Sequence, residues 1–112
     1  MEGIYSIAFR GASDWGMGVL LFRAGRLTGA DVGGVLYDGT YRDADGVIAV
    51  DAEMTVPPGA TLVQGIPARP VAFKIPFKVQ VAREALQNQR PVLIQLPVGP
   101  VNVIFKFLRG LD

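Results

Sequence analysis

Apolar and polar side chains alternate one by one along several segments of the chain. The clearest segment is residues 71–82, in which polar residues or proline separate the apolar residues Phe73, Ile75, Phe77, Val79 and Val81. A period of two places alternate side chains on opposite faces of a β-strand, one face dry and the other in water. The same period recurs in residues 5–9, 48–54 and 101–107. The pattern therefore predicts an all-β protein whose sheet curls around apolar side chains.

Turn-forming residues divide the chain into about eight strands and one short helical segment. The strands are predicted at residues 3–10, 18–23, 26–30, 35–42, 47–56, 71–82, 91–96 and 101–108, and the helical segment at 83–88. Asp45-Gly46 tolerates positive φ and predicts the hairpin between the fourth and fifth strands. Pro76 lacks an amide proton, which favours an edge, a bulge or a kink in its strand. With 112 residues and no linker or repeat, residues 1–112 are predicted to be a single β-barrel domain.

An antiparallel barrel of about eight strands has an interior that side chains fill or that holds one small ligand. The large aromatic residues of the predicted strands favour a filled core, and they are Phe9, Phe22, Phe73, Phe77, Phe105 and Phe107. A ligand-sized apolar cavity is the alternative.

The composition excludes several classes of function. Histidine and cysteine are both absent, which removes the usual general base, the commonest metal ligand and thiolate chemistry. We therefore expect no catalytic residues, no metal and no cofactor. A net charge of +1 is too small to attract nucleic acid over a distance. Because no apolar run approaches a membrane span and no export signal is visible, we expect a cytoplasmic protein without direct nucleic-acid or membrane contact.

Three features of the sequence are candidates for a functional site: a pair of carboxylates, a glycine-rich segment and a single tryptophan. Asp51 and Glu53 share one face of a strand, but that face is the polar one, which favours solvated surface over acid–base catalysis. The segment Gly16-Met17-Gly18 looks like a phosphate loop, but it leads into a strand instead of a helix. Trp15 is predicted either to cap one end of the barrel or to anchor a partner protein.

Several segments of the first half carry a family resemblance: Gly3-Ile4-Tyr5-Ser6-Ile7, Gly16, Gly18, residues 25–31 and Tyr37-Asp38-Gly39. They resemble the GrlR-type proteins, negative regulators of type III secretion genes. The resemblance implies a lipocalin-like β-barrel that forms a homodimer and represses by sequestering a DNA-binding transcriptional activator. It also implies an activator-contacting acidic loop, which Asp43 and Asp45 match in position and charge, although Ala44 and Gly46 interrupt the acidic run. The expected partner-binding residues are Asp43, Asp45 and Trp15.

The alternative function belongs to another class, a barrel that binds a small apolar or lipid-like molecule. Its predicted cavity walls are Phe73, Phe77, Val103 and Phe105. Residues 57–70, which carry several prolines and form the longest irregular connection, would then act as a lid. The two functions are compatible, because ligand binding can control a regulator.

Overall fold

A computed structural model describes residues 1–112, and its strands form a single antiparallel sheet. The elements are β1 (Gly3–Arg10), β2 (Trp15–Arg23), β3 (Arg26–Asp31), β4 (Leu36–Ala44), β5 (Val47–Val56), β6 (Phe73–Ala82), α1 (Arg83–Asn88), β7 (Val92–Leu96) and β8 (Gly99–Arg109). The strand order is β6-β5-β4-β3-β2-β1-β8-β7. The edge strands β6 and β7 approach each other without a backbone ladder, which leaves the barrel nearly closed. The predicted all-β barrel of eight strands is thus confirmed, together with its short helix.

The strand limits agree with the sequence pattern in most places. The bounds predicted for the fifth strand and for the helix are confirmed. So is the hairpin turn, where Asp45 and Gly46 have φ of 55° and 76°. Pro76 was predicted to mark an edge, a bulge or a kink, and it lies on the edge strand β6. The second strand, however, begins at Trp15 and not at Gly18, because its pairing with β1 continues up to Arg10.

Because neighbouring strands are antiparallel, their connections alternate between the two ends of the barrel. The upper end carries the β1–β2, β3–β4, β5–β6 and β7–β8 connections, and the lower end carries the β2–β3 and β4–β5 turns and α1. The long connection 57–72 is held at the upper end, where the Val63 carbonyl accepts hydrogen bonds from the amides of Ser13 (2.8 Å) and Asp14 (3.2 Å). Leu62 of this connection is buried.

Aromatic packing closes the lower end of the barrel. Phe22 packs edge-to-face against Tyr5 and Tyr41, with ring centroids 5.4 and 5.1 Å apart. Leu86 of α1 is 2% exposed and belongs to the same apolar cluster. The Tyr41 hydroxyl donates a hydrogen bond of 2.5 Å to the Met1 carbonyl, which satisfies the polar end of a buried ring. This end is therefore solidly packed.

Glycines at inward-facing positions shape the wall formed by β2, β3 and β4. These positions are Gly16, Gly18, Gly29 and Gly39. A Cβ atom at Gly39 would lie 2.3 Å from the Asp51 carbonyl oxygen, and one at Gly18 would lie 2.6 Å from that of Ala30. The backbone of the adjacent strand thus occupies the space that a side chain would need. A side chain at Gly18 or Gly39 would push the adjacent strand away, so glycine allows the close strand approach found there.

Candidate functional site

An apolar cavity of about 480 Å³ lies inside the barrel, above its packed lower end. Of the 31 residues that line it, 24 are hydrophobic. The volume falls within the roughly 300–1,000 Å³ that is usual for small-molecule sites. The filled interior that the phenylalanine content favoured is therefore not found.

The six phenylalanines fail to fill the interior because two of them are placed elsewhere. Phe73 packs beside the connection, where the Arg69 guanidinium lies 4.0 Å from its ring centroid. Phe107 is 49% exposed and contacts Tyr5 near the lower end of β8. The other four line the cavity as wall or floor residues, and they are Phe9, Phe22, Phe77 and Phe105.

The cavity wall consists of the inward-facing residues of the strands. Besides the phenylalanines it includes Ile48 and Val50 of β5, Val79 and Val81 of β6, Ile94 and Leu96 of β7, and Val101 and Val103 of β8. Phe22 and Leu86 form the floor and are each 2% exposed, so the cavity narrows into close packing there. A ligand that reaches this depth meets only apolar groups.

The mouth of the cavity lies at the upper end and is more polar than the wall. Asp14 and Trp15 contribute from the β1–β2 loop and the start of β2, Asp31–Gly33 from the β3–β4 turn, and Gly59–Gln64 from the long connection. The only charged side chains among all the lining residues are the carboxylates of Asp14 and Asp31. No lysine or arginine lines the cavity.

Asp31 organises the mouth through three hydrogen bonds. Its Oδ1 atom accepts from the amides of Gly33 (2.9 Å) and Val35 (3.1 Å), which fixes the β3–β4 turn. Its Oδ2 atom accepts from the Tyr37 hydroxyl at 2.7 Å. Burial and the neighbouring Asp31 carboxylate raise the pKa of Tyr37 far above the ordinary value for a phenol. Tyr37 therefore stays protonated and remains a hydrogen-bond donor to Asp31.

The structure places three of the four predicted wall residues at the cavity. Phe77, Val103 and Phe105 line it, whereas Phe73 does not. Of the predicted lid, Gly59–Gln64 reach the mouth. The sequence interpretation missed the pair formed by Asp31 and Tyr37. The available signal was that Asp31 follows Leu27 and Gly29 on the dry side of its strand, where a carboxylate needs a partner.

The structure does not bring the three predicted partner-binding residues together. Trp15 is 60% exposed at the upper end, whereas Asp43 and Asp45 belong to the lower end. Strand β2 alone, which starts at Trp15 and runs to the lower end, spans roughly 26 Å at the usual rise per residue. A surface that includes all three residues would have to cover the full height of the barrel.

Asp43 already has partners within the chain. Its carboxylate forms ion pairs with the Arg83 guanidinium and with the Met1 amino group, the latter at 3.0 Å. Hydrogen bonds from Arg83 and from this amino group hold the pKa of Asp43 below its ordinary value. Asp45 is exposed at the tip of the hairpin. Of the two aspartates, only Asp45 presents its carboxylate to an external partner.

The outer surface of the barrel carries a band of apolar residues on one side and ion pairs on the other. The strand register brings outward-facing apolar residues of β8, β1, β2, β3 and β4 next to one another. We name these residues the outer apolar face, and they are Ile104, Ala8, Met17, Val19, Ala30 and Leu36. On β5 and β6, in contrast, Lys74 approaches Glu53 at 3.1 Å and Lys78 approaches Asp51 at 3.8 Å. The prediction that Asp51 and Glu53 face water is confirmed by these exposed ion pairs.

Comparison with known proteins adds no family to this description. No protein-family model matches the chain, and no curated protein matches it. The similarity to the GrlR-type proteins therefore stays a hypothesis. No cluster of three or more His, Cys, Asp or Glu side chains is placed to hold a metal ion, and no helix has the length and hydrophobicity to cross a bilayer. The cavity and the outer surface are the two features from which a function can be proposed.

Proposed function

We propose that this protein is a non-enzymatic binding protein that holds one small apolar or lipid-like molecule inside its barrel. The observation that supports this function is the apolar cavity of about 480 Å³ with its mouth at the upper end. A dry apolar cavity of about 150 Å³ is enough to bind benzene. The cavity here has roughly three times that volume, so it can hold a ligand considerably larger than benzene.

The driving force for such binding is the removal of apolar surface from water. A ligand in the cavity buries its own apolar surface and supplies contact atoms to wall residues such as Val79 and Phe105. Each 100 Å² of apolar surface removed from water contributes about 2.5 kcal/mol. A preformed wall also limits the ordering cost on the protein side.

A pair of substitutions on one strand tests the proposal. Val79 lines the cavity, and the adjacent Gln80 points outward from the same strand. We expect Val79→Phe to weaken the binding of 1-decanol by at least about tenfold, because the added ring takes up cavity volume. Gln80→Phe adds the same ring outside and should bind like the wild type. Isothermal titration calorimetry measures both affinities, and circular dichroism checks that each variant is folded.

Two results would contradict the proposal. One is a wild-type protein that binds neither 1-decanol nor any other apolar probe and carries no bound apolar mass in native mass spectrometry. The other is a folded Val79→Phe variant with wild-type affinity.

A second candidate function is regulation through protein contacts, and the outer apolar face and the exposed Trp15 favour it. In this role the protein would resemble the GrlR-type regulators of type III secretion genes, as a homodimer that sequesters a transcriptional activator. The outer apolar face would hold the two copies together, and the exposed Trp15 would supply much of the affinity for the activator. Asp45 would contribute to steering toward a basic partner.

Affinity purification of the tagged protein from its native cells tests this second function. Recovery of a DNA-binding protein that is lost from a variant carrying Trp15→Ala would support it. Recovery of the protein alone, or of the same proteins with both versions, would count against it.

A further inference from the structure

We infer that the cavity selects amphiphiles whose polar end donates hydrogen bonds and carries no negative charge, such as long-chain alcohols and amines. This inference rests on the proposed ligand-binding function and specifies the chemistry of the ligand. It also implies that the protein rejects fatty carboxylates, although these have the same apolar chain.

The charges around the cavity are of one sign. Asp14 and Asp31 line the mouth, and no cationic side chain lines any part of the cavity. Arg10, the register partner of Trp15, is exposed and alternates with the inward Phe9, and it is not among the residues that line the cavity. A bound carboxylate would therefore have two carboxylates as neighbours and no counter-ion.

The charged groups at the mouth are both hydrogen-bond acceptors. The Asp31 Oδ2 atom receives one hydrogen bond, from Tyr37, and a carboxylate oxygen can accept a second. Oδ1 of Asp14 accepts the Trp15 amide at 2.8 Å, and the other oxygen of this exposed carboxylate can accept from a ligand. A hydroxyl or ammonium group fits these acceptors because it brings its own protons.

The shape of the cavity orients such a ligand. The floor formed by Phe22 and Leu86 offers no polar group, so the apolar chain points down and the polar end stays at the mouth. A carboxylate held there would lose part of its hydration and would be repelled by Asp14 and Asp31, and no cation would offset that repulsion. An ammonium group at the same place would gain attraction, and a hydroxyl group would be tolerated.

A matched series of ligands tests the selectivity. 1-Decanol, decylammonium and decanoate share one chain and differ in the head group, and at pH 7.5 decanoate is ionised. Trp15 is the only tryptophan of the chain and lines the mouth, so its fluorescence reports binding. Calorimetry gives the affinities independently. We expect decanol and decylammonium to bind at least about tenfold more tightly than decanoate.

The outcomes separate this inference from the function on which it rests. Equal affinity for all three ligands, or tighter binding of decanoate, would overturn the charge selectivity and leave the binding function intact. If none of the three ligands binds, both the selectivity and the proposed function fail.

A charge introduced at the mouth provides the reciprocal test. Thr61 lines the mouth and is exposed, so Thr61→Lys adds the cation that the wild type lacks there. We expect this variant to bind decanoate at least about tenfold more tightly than the wild type, and decylammonium more weakly. Thr40→Lys places the same charge on the outer face of β4, away from the cavity, and should leave both affinities unchanged. A folded Thr61→Lys variant that binds decanoate no better than the wild type does would overturn the inference.

Discussion

Asp43 and Asp45 illustrate how two residues of the same type acquire different roles within one hairpin. In the sequence they form a short acidic motif, and nothing local distinguishes them. The fold brings Arg83, which is 40 residues away, against Asp43 and leaves Asp45 exposed. The contact between Asp43 and Arg83 forms only when β5 pairs with β6, and local sequence patterns do not specify that pairing.

We expect Asp43→Asn to lower the melting temperature at pH 7, because it removes the charge that pairs with Arg83. The folded-state pKa of Asp43 is lowered, so its stabilising contribution is complete above the ordinary value of 3.8 and is lost as the pH falls through the lower folded value. The difference in melting temperature between wild type and variant should therefore narrow below about pH 4. Thermal unfolding followed by circular dichroism between pH 2 and pH 7 measures this.

Asp45→Asn is the matched control for this change. It lies in the same hairpin and has no ion pair, so its melting temperature should follow the wild type at every pH. A difference between wild type and Asp43→Asn that stays constant down to pH 2 would show that the carboxylate charge is not its cause.

At the scale of the elements, alternation and turn residues predicted most of the barrel from the sequence. The fifth strand was predicted with its limits because Asp45-Gly46 and Pro57-Pro58 flank it, and the helix because residues 83–88 have helix-forming composition. The start of β2 was missed because residues 11–16 are rich in turn formers, and pairing with β1 outweighs that local preference.

The cavity was harder to predict than the strands around it. Whether inward phenylalanines fill a barrel depends on its radius and on how each ring is aimed, and both are properties of the closed sheet. The alternation of residues 71–82 suggested that Phe73 and Phe77 share an environment, yet only Phe77 faces the cavity. Phe73 is the first residue of β6 and packs against the long connection instead.

The inward glycines lead to a prediction about the curvature of the sheet. Gly39→Ala should reduce the free energy of unfolding by about 1–3 kcal/mol, because the new methyl group would overlap the β5 backbone at Asp51 and Ala52. Gly110→Ala is the control, since a methyl group there has no atom within 4 Å. Urea denaturation of both variants measures the effect. Equal stability of the two variants would show that the sheet relaxes around position 39 at no cost.

At the scale of the whole molecule, apolar and charged residues are distributed unequally over the outside of the barrel. Exposed apolar side chains occupy the surface of β8, β1 and β2, and ion pairs occupy that of β5 and β6. A sheet face that carries several exposed apolar residues is typical of a contact surface. If the protein forms the homodimer that the family resemblance implies, this face is where two copies would meet.

We therefore expect Val19→Glu to shift the protein from dimer to monomer, because it places a charge within the outer apolar face. Sedimentation velocity over a range of concentrations measures the association. Val71→Glu is the matched control, since Val71 is 66% exposed but lies outside this face. A wild type that is monomeric at all concentrations, or an unchanged dimer of Val19→Glu, would contradict the expectation.

The absence of backbone pairing between β6 and β7 affects how easily the barrel can widen. Around the barrel, seven of the eight contacts between neighbouring strands are backbone-paired. The eighth, between β6 and β7, has no backbone pairing, and α1 lies beside it. Because Pro76 lies on one of the two free edges, the β6 edge is not built as a continuous row of amide donors. The β6–β7 gap is therefore the one place on the circumference where the wall can widen for a larger ligand without breaking a backbone hydrogen bond.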